Sequence, residues 1–222
     1  VSFGSTAQVV AFVDTGIDYT HPDLAANVWS APAAFTVTIG GTTIACPAGS
    51  HGFNVITLTC NPMDDHNHGT HVSGTIGATG GNGVGVVGVN WTTQLMGIKF
   101  LDANGSGSTA DAINGIEFAI QAKQAFASSG DANVRVLSNS WSTGFSQGLL
   151  DEVNKTATKD MLFVASAGNS GTNNDSSPSY PASYNVSNVV AVAATNNTDA
   201  LWSSSNYGAT SVDLAAPGAA FI

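Results

Sequence analysis

Asp64, Asp65, His66, His68 and His71 crowd into eight positions and could do acid–base or metal chemistry. An imidazole titrates near neutral pH, so each histidine is a candidate proton acceptor and donor. Three histidines beside two carboxylates also make a fair donor set for zinc. The surrounding residues say more about His68. Asn67-His68-Gly69-Thr70-His71-Val72-Ser73-Gly74-Thr75-Ile76 follows a polar, turn-rich run, and Val72, Thr75 and Ile76 recur at the spacing of one helix face. His68 therefore stands at a helix N-terminus, next to a glycine that admits close approach of another segment. The positive helix end alone favours a neutral, basic imidazole, and a nearby carboxylate would oppose it by stabilising the imidazolium. Asp14 is the candidate carboxylate. It ends the apolar run Val9 to Val13 and precedes Thr15-Gly16, and in an open α/β sheet the carboxyl end of a buried strand faces the ligand crevice. Asp-Thr-Gly alone also suits an aspartic peptidase, but that chemistry needs two carboxylates sharing a proton, and no second Asp-Thr-Gly occurs.

The elements that must position these groups alternate. Residues 8–13 read as a buried strand, 21–28 as a brief helix or turn, and 35–44 as a surface hairpin about Gly40-Gly41. The His68 helix ends at Gly80-Gly81-Asn82-Gly83. Strands follow at 94–100, 134–139, 161–165 and 189–194. Helices are expected at 108–127, capped by Ser108 or Thr109 with Ile113, Ile116 and Ile120 on one face, and at 147–159, with Leu149, Leu150 and Val153 inward. This alternation predicts an α/β, three-layer α/β/α fold with a mostly parallel sheet covered on both faces. At 222 residues one domain is the default, here 1–222, with 31–62 read as an insertion.

Taken in order, six segments resemble the subtilisin-like serine peptidases: Asp14-Thr15-Gly16-Ile17-Asp18 with His21-Pro22-Asp23-Leu24; His68 to Thr75; Asn104 to Ser108; Asn139-Ser140-Trp141-Ser142; Ala167 to Gly171; and Ala216-Pro217-Gly218. The resemblance covers nearly the whole chain. It implies a secreted serine endopeptidase of broad specificity, acting on protein or peptide substrates. Asp14 would orient His68, His68 would be the general base and acid, and Asn169 would hold the oxyanion. Gly105, Ser106 and Gly107 would form one substrate edge and Ser140, Trp141 and Ser142 the other, with Ser166 and Gly168 completing an uncharged pocket that favours a neutral or apolar side chain. Asp23 and Asn82, with the carbonyls of Val84 and Val86, resemble a calcium site. Tyr180-Pro181 resembles a position that carries a cis proline. His68 and His71 flank Gly-Thr as in this family, which sets the resemblance against the zinc reading, since one histidine cannot easily serve both roles.

The family's Gly-Thr-Ser-x-Ala-x-Pro motif, which carries the nucleophile, does not occur through Ile222, and Asp14 comes early. The chain is thus expected to be a core cut at both ends. It would be inert alone, completed by the remainder of its own chain as partner, with any signal or pro-segment removed. Five Lys and Arg against fifteen Asp and Glu, a formal charge of −10, argue against nucleic acid and anionic membranes. No apolar run reaches transmembrane length. Cys46 and Cys60 have no metal-type spacing and flank a Gly/Asn-rich loop. A disulfide is expected there, implying an oxidising compartment, with two buried free thiols the alternative.

Overall fold

The structure, a computed structural model, describes residues 3–218. The described residues divide into two compact units at Leu137/Ser138.

In the first unit, strand β1 (Gly4–Asp14) pairs in parallel with β5 (Thr92–Lys99), which pairs in parallel with β4 (Gly52–Asn54). Asp14 lies opposite Lys99 in that register. Ala11 to Asp14 are buried without alternation, as expected of a parallel strand covered on both faces. The hairpin β2 (Phe35–Ile39) and β3 (Thr42–Cys46) is a separate antiparallel pair. A single 3-10 turn, Ala25–Asn27, fills the expected 21–28 segment.

The hairpin is more than the surface feature its sequence suggests. Phe35, Val37 and Ile39 are buried on one face. Phe35 meets Trp29, Phe118 and Phe126, and Phe53 stacks on Phe118 at 4.7 Å between centroids. Phe118 belongs to helix α2 (Thr109–Ala125), whose Gln121 bonds both backbone groups of Thr38, at 2.7 and 2.8 Å. Ser108 and Asp111 form a capping box at the start of α2. A disulfide between Cys46 and Cys60 ties β3 to the segment that leads toward His68.

Helix α1 (His68–Gly77) buries small residues: Gly69, Ser73 and Gly77. The expected apolar face is displaced, with Val72 and Ile76 half-buried beside that line and Thr75 exposed. The reason is close approach. A Cβ on Gly69 would strike the carbonyl of Gly16, and one on Gly77 would strike Thr93. Such a short, glycine-rich helix has little intrinsic stability and depends on packing and capping.

The second unit carries β7 (Leu162–Ser166), β8 (Val189–Thr195) and β9 (Leu214–Pro217), neighbours in that order and parallel throughout. Strand β6 (Val134–Asn139) spans the division between the units. Helix α3 (Gln147–Ala157) is capped by Ser146 and turns Leu149 and Val153 inward. Phe145, Tyr180 and Tyr184 pack ring against ring, and the Tyr180-Pro181 peptide is cis, as the resemblance implies. Among the described residues no helix is long and apolar enough to cross a membrane.

Candidate active site

Strand β1 delivers Asp14 at its carboxyl end, and α1 delivers His68 at its first residue. His68 Nδ1 stands 2.7 Å from Asp14 Oδ1. Because a carboxylate accepts there, Nδ1 carries the proton and Nε2 keeps the lone pair in the neutral ring. Asp14 is 1% exposed, whereas the His68 side chain is 42% exposed. The acid is therefore shielded and the base reachable. The Thr15 N–H also donates to Asp14 Oδ1, at 2.7 Å. Asp14 raises the His68 pKa above the ordinary value of 6.5 by accepting this hydrogen bond; burial opposes the shift, and the charges of Asp14 and Asp64 add to it. The carboxylates thus outweigh burial, and their sign is opposite to that of the helix terminus.

The supporting roles of Thr15, Lys99 and Asp64 were not read from the sequence. Thr15 Oγ1 accepts the Gly69 N–H at 2.8 Å, locking the turn after β1 to the first turn of α1. Lys99 is buried, and its ammonium donates to the carbonyls of Thr15 and Leu101, at 2.9 and 2.7 Å, and to Asp65. Asp64 accepts from the N–H groups of His66, Asn67 and Thr70 and from the Thr70 hydroxyl. Burial pushes the Asp64 carboxyl up, but these bonds hold it at about 2. Asn67 itself has φ 91° and makes no side-chain cap.

His66 and His71 differ in setting. His71 is exposed, while His66 is half-buried and its Nδ1 accepts the His68 N–H at 3.4 Å. His66 Nε2 also abuts Gly105, 3.2 Å from where a Cβ would stand. Gly105 has φ +73°, in a loop that Asp102 folds by accepting from Asn104 and Ser106. The segment Gly105, Ser106, Gly107 is thereby brought next to the residues before α1. Among the described residues no three His, Cys, Asp or Glu side chains converge as a metal-binding group.

Asn169, Ser140, Trp141, Ser142, Ser166 and Gly168 lie in the second unit. Asn169 is exposed, just beyond β7. Its loop is held by Asn206, which is buried: Asn206 Oδ1 accepts from Ser170 at 2.8 Å and Thr172 at 3.2 Å, and its N–H donates to the Gly168 carbonyl at 2.8 Å. Asn174, also buried, accepts from Asn206 and donates to the Ala167 carbonyl. Gly168 has φ +114°, and a Cβ there would collide with the Asn206 amide. Trp141 and Ser140 are half-buried and Ser142 is exposed.

Asp23 and Asn82 meet through a hydrogen bond. Asp23 Oδ1 accepts from the Asn82 amide at 2.7 Å and Oδ2 from the Val86 N–H at 2.8 Å, and Asn82 Oδ1 accepts from the Val84 N–H at 3.0 Å. A carboxylate, an amide and backbone carbonyls are the hard oxygen donors calcium prefers. As arranged, the same residues close their loop by hydrogen bonds.

A shielded carboxylate holding Nδ1 of a reachable helix-terminal histidine, on a parallel α/β scaffold, joins a match to the subtilase family over residues 5–221. The chain belongs to the subtilase family. Thermophilic serine proteinase of Bacillus sp. (strain AK1) is 35% identical over 219 residues, covering 98% of this chain and 45% of the relative. Thermitase of Thermoactinomyces vulgaris is 33% identical, covering 98% of this chain and 65% of the relative. This subtilase chain thus spans less than two thirds of either relative. The crystal structure of a cold adapted subtilisin-like serine proteinase matches 96% of the chain and 63% of its own, with a TM-score of 0.67 at 24% identity. That likeness establishes the three-layer, mostly parallel fold.

Proposed function

We propose that this chain is the Asp- and His-bearing part of a secreted serine endopeptidase. The observation that carries the reading is the 2.7 Å bond from Asp14 to His68 Nδ1, in a chain of the subtilase family. A serine hydroxyl is a poor nucleophile until a base takes its proton. His68 Nε2 takes it as the hydroxyl oxygen attacks the peptide carbonyl, and later gives it to the leaving amine. Asp14 keeps Nδ1 protonated and stabilises the imidazolium without itself accepting the proton. The nucleophilic serine is assigned to residues outside these 222. Asn169 donates to the developing oxyanion; in subtilisin, losing such a donor costs about 10²–10³ in kcat.

By the family resemblance, Gly105 to Gly107 in the first unit and Ser140 to Ser142, Ser166 and Gly168 in the second are each assigned to binding substrate, by backbone pairing with an extended strand. Backbone pairing of this kind accepts many sequences, which supports broad specificity. The Cys46–Cys60 disulfide supports an extracellular setting. Calcium is assigned to Asp23, Asn82, Val84 and Val86 as a stabiliser with no part in the reaction.

The test is His68→Ala and Asp14→Asn in the full-length protein. Both remain folded and lose peptide hydrolysis, by about 10⁴-fold or more. Wild-type hydrolysis by His68→Ala, in a preparation free of the wild-type enzyme, refutes the assignment.

A further inference from the structure

Resting on the peptidase reading, the geometry points to Asp64 as a positioning residue that sets both the placement and the proton affinity of the catalytic base. Its carboxylate gathers four donors where α1 begins. Oδ1 accepts from the N–H groups of His66 (2.9 Å) and Asn67 (3.1 Å). Oδ2 accepts from the N–H and hydroxyl of Thr70, at 3.0 and 2.6 Å. The first N–H groups of a helix have no partner within it, and this helix lacks a cap from its own boundary residue. Asp64 supplies the cap from four positions before His68.

The same residue also reaches the Asp14 side. The Asp64 N–H donates to the Ile17 carbonyl at 3.3 Å, and Thr70 Oγ1 accepts the Asp18 N–H at 2.9 Å. Asp64 therefore joins the turn that follows Asp14 to the helix turn that follows His68. Losing the carboxylate loosens Thr70 and the start of α1, and His68 with them, while the backbone bond to Ile17 stays. Reaction geometry tolerates little of this, since a displacement of about 1 Å can cost about 10²-fold in rate.

Its charge adds a second effect. The charged and titratable groups around His68 in this unit are Asp14 on β1, Asp64 and His66 before α1, and the Lys99–Asp65 pair against the Thr15 carbonyl. Held at about 2, Asp64 is anionic at every pH at which a histidine titrates, and its field favours the imidazolium. A neutral side chain there makes His68 easier to deprotonate.

The experiment is a pH profile of kcat/KM on the full-length protein carrying Asp64→Asn, with Asp64→Ser as a second neutral variant whose hydroxyl can still cap the helix, and Thr70→Val as a variant that keeps the charge. Asp64→Asn lowers kcat by about 10-fold or more, with KM changed less than about threefold. It moves the acid limb down. Thr70→Val lowers kcat and leaves the limb in place. Should Asp64→Asn fail to fold, Asp64→Ser carries the same expectation. An unmoved acid limb in a folded Asp64 variant overturns the inference, because a merely structural cap lowers stability without moving it. His68→Ala in the same background separates the two failures. An inactive His68→Ala with an unmoved limb sinks the Asp64 role alone. An active one sinks the peptidase reading and this inference with it.

Discussion

A base that abstracts a hydroxyl proton must be neutral with its lone pair on Nε2, and Asp14 enforces that form by accepting from Nδ1. The same bond raises the His68 pKa above 6.5. The acid limb of kcat/KM should therefore lie above 6.5, and pH–rate measurements on Asp14→Asn should show weaker activity with the limb lowered. Stability carries the opposite sign. A raised folded pKa stabilises the fold fully below the unfolded value and loses that contribution as pH rises through the folded one. Asp64 behaves in reverse. Its depressed value stabilises the fold above 3.8 and loses the effect as pH falls toward about 2. Discounted for partial exposure, that contribution is about 1–2 kcal/mol. Acid unfolding of Asp64→Asn, followed by circular dichroism, should lack the corresponding loss of stability. Asp14 and His68 were legible in the sequence because strand end and helix start each carry a local signature. Asp64 was visible only as one acid among several, since its role lies in which N–H groups it reaches. Asn206 lay further out of view, 36 positions from the Ser170 N–H that it accepts.

Two elements show where pattern reading falls short. Helix α1 was expected to bury Val72, Thr75 and Ile76, yet Gly69, Ser73 and Gly77 are the buried line. Hydrophobic periodicity finds a helix but cannot tell that its tightest contact is made by residues lacking side-chain bulk. Gly69→Ala should expose the difference. The added methyl meets the Gly16 carbonyl, and the shift needed to relieve it separates Asp14 from His68. We expect about 1–3 kcal/mol of lost stability by chemical denaturation, together with a fall in kcat. The hairpin looked like a surface feature because its alternation is short, but its Phe35 face packs on an aromatic cluster contributed partly by α2. The Cys46–Cys60 bridge holds this insertion. Replacing both cysteines by serine should cost about 3 kcal/mol, read as a fall of roughly 6–12 °C in Tm. An unchanged Tm would mean that hairpin packing alone secures the segment.

At the scale of the molecule, alternation of strand and helix predicted a parallel α/β fold, and the family match and solved-structure likeness bear this out. Strands β4 and β9 escaped the sequence reading because three or four residues carry too little pattern to separate a strand from a loop. The Asp23 loop bears on stability. If calcium exchanges its oxygens for the present hydrogen bonds, a chelator should lower the Tm of the full-length protein and calcium should restore it, without zinc having any effect. No change on chelation would leave the loop closed by its own hydrogen bonds. Asp14 and His68 are proposed to activate a serine. That activation is tested most directly by labelling the full-length protein with a serine-directed phosphonate and locating the adduct by peptide mass spectrometry. One labelled serine outside residues 1–222 is expected, with labelling abolished by His68→Ala. Labelling that survives His68→Ala, or hydrolysis silenced by a chelator and restored by zinc in an unlabelled protein, would contradict it.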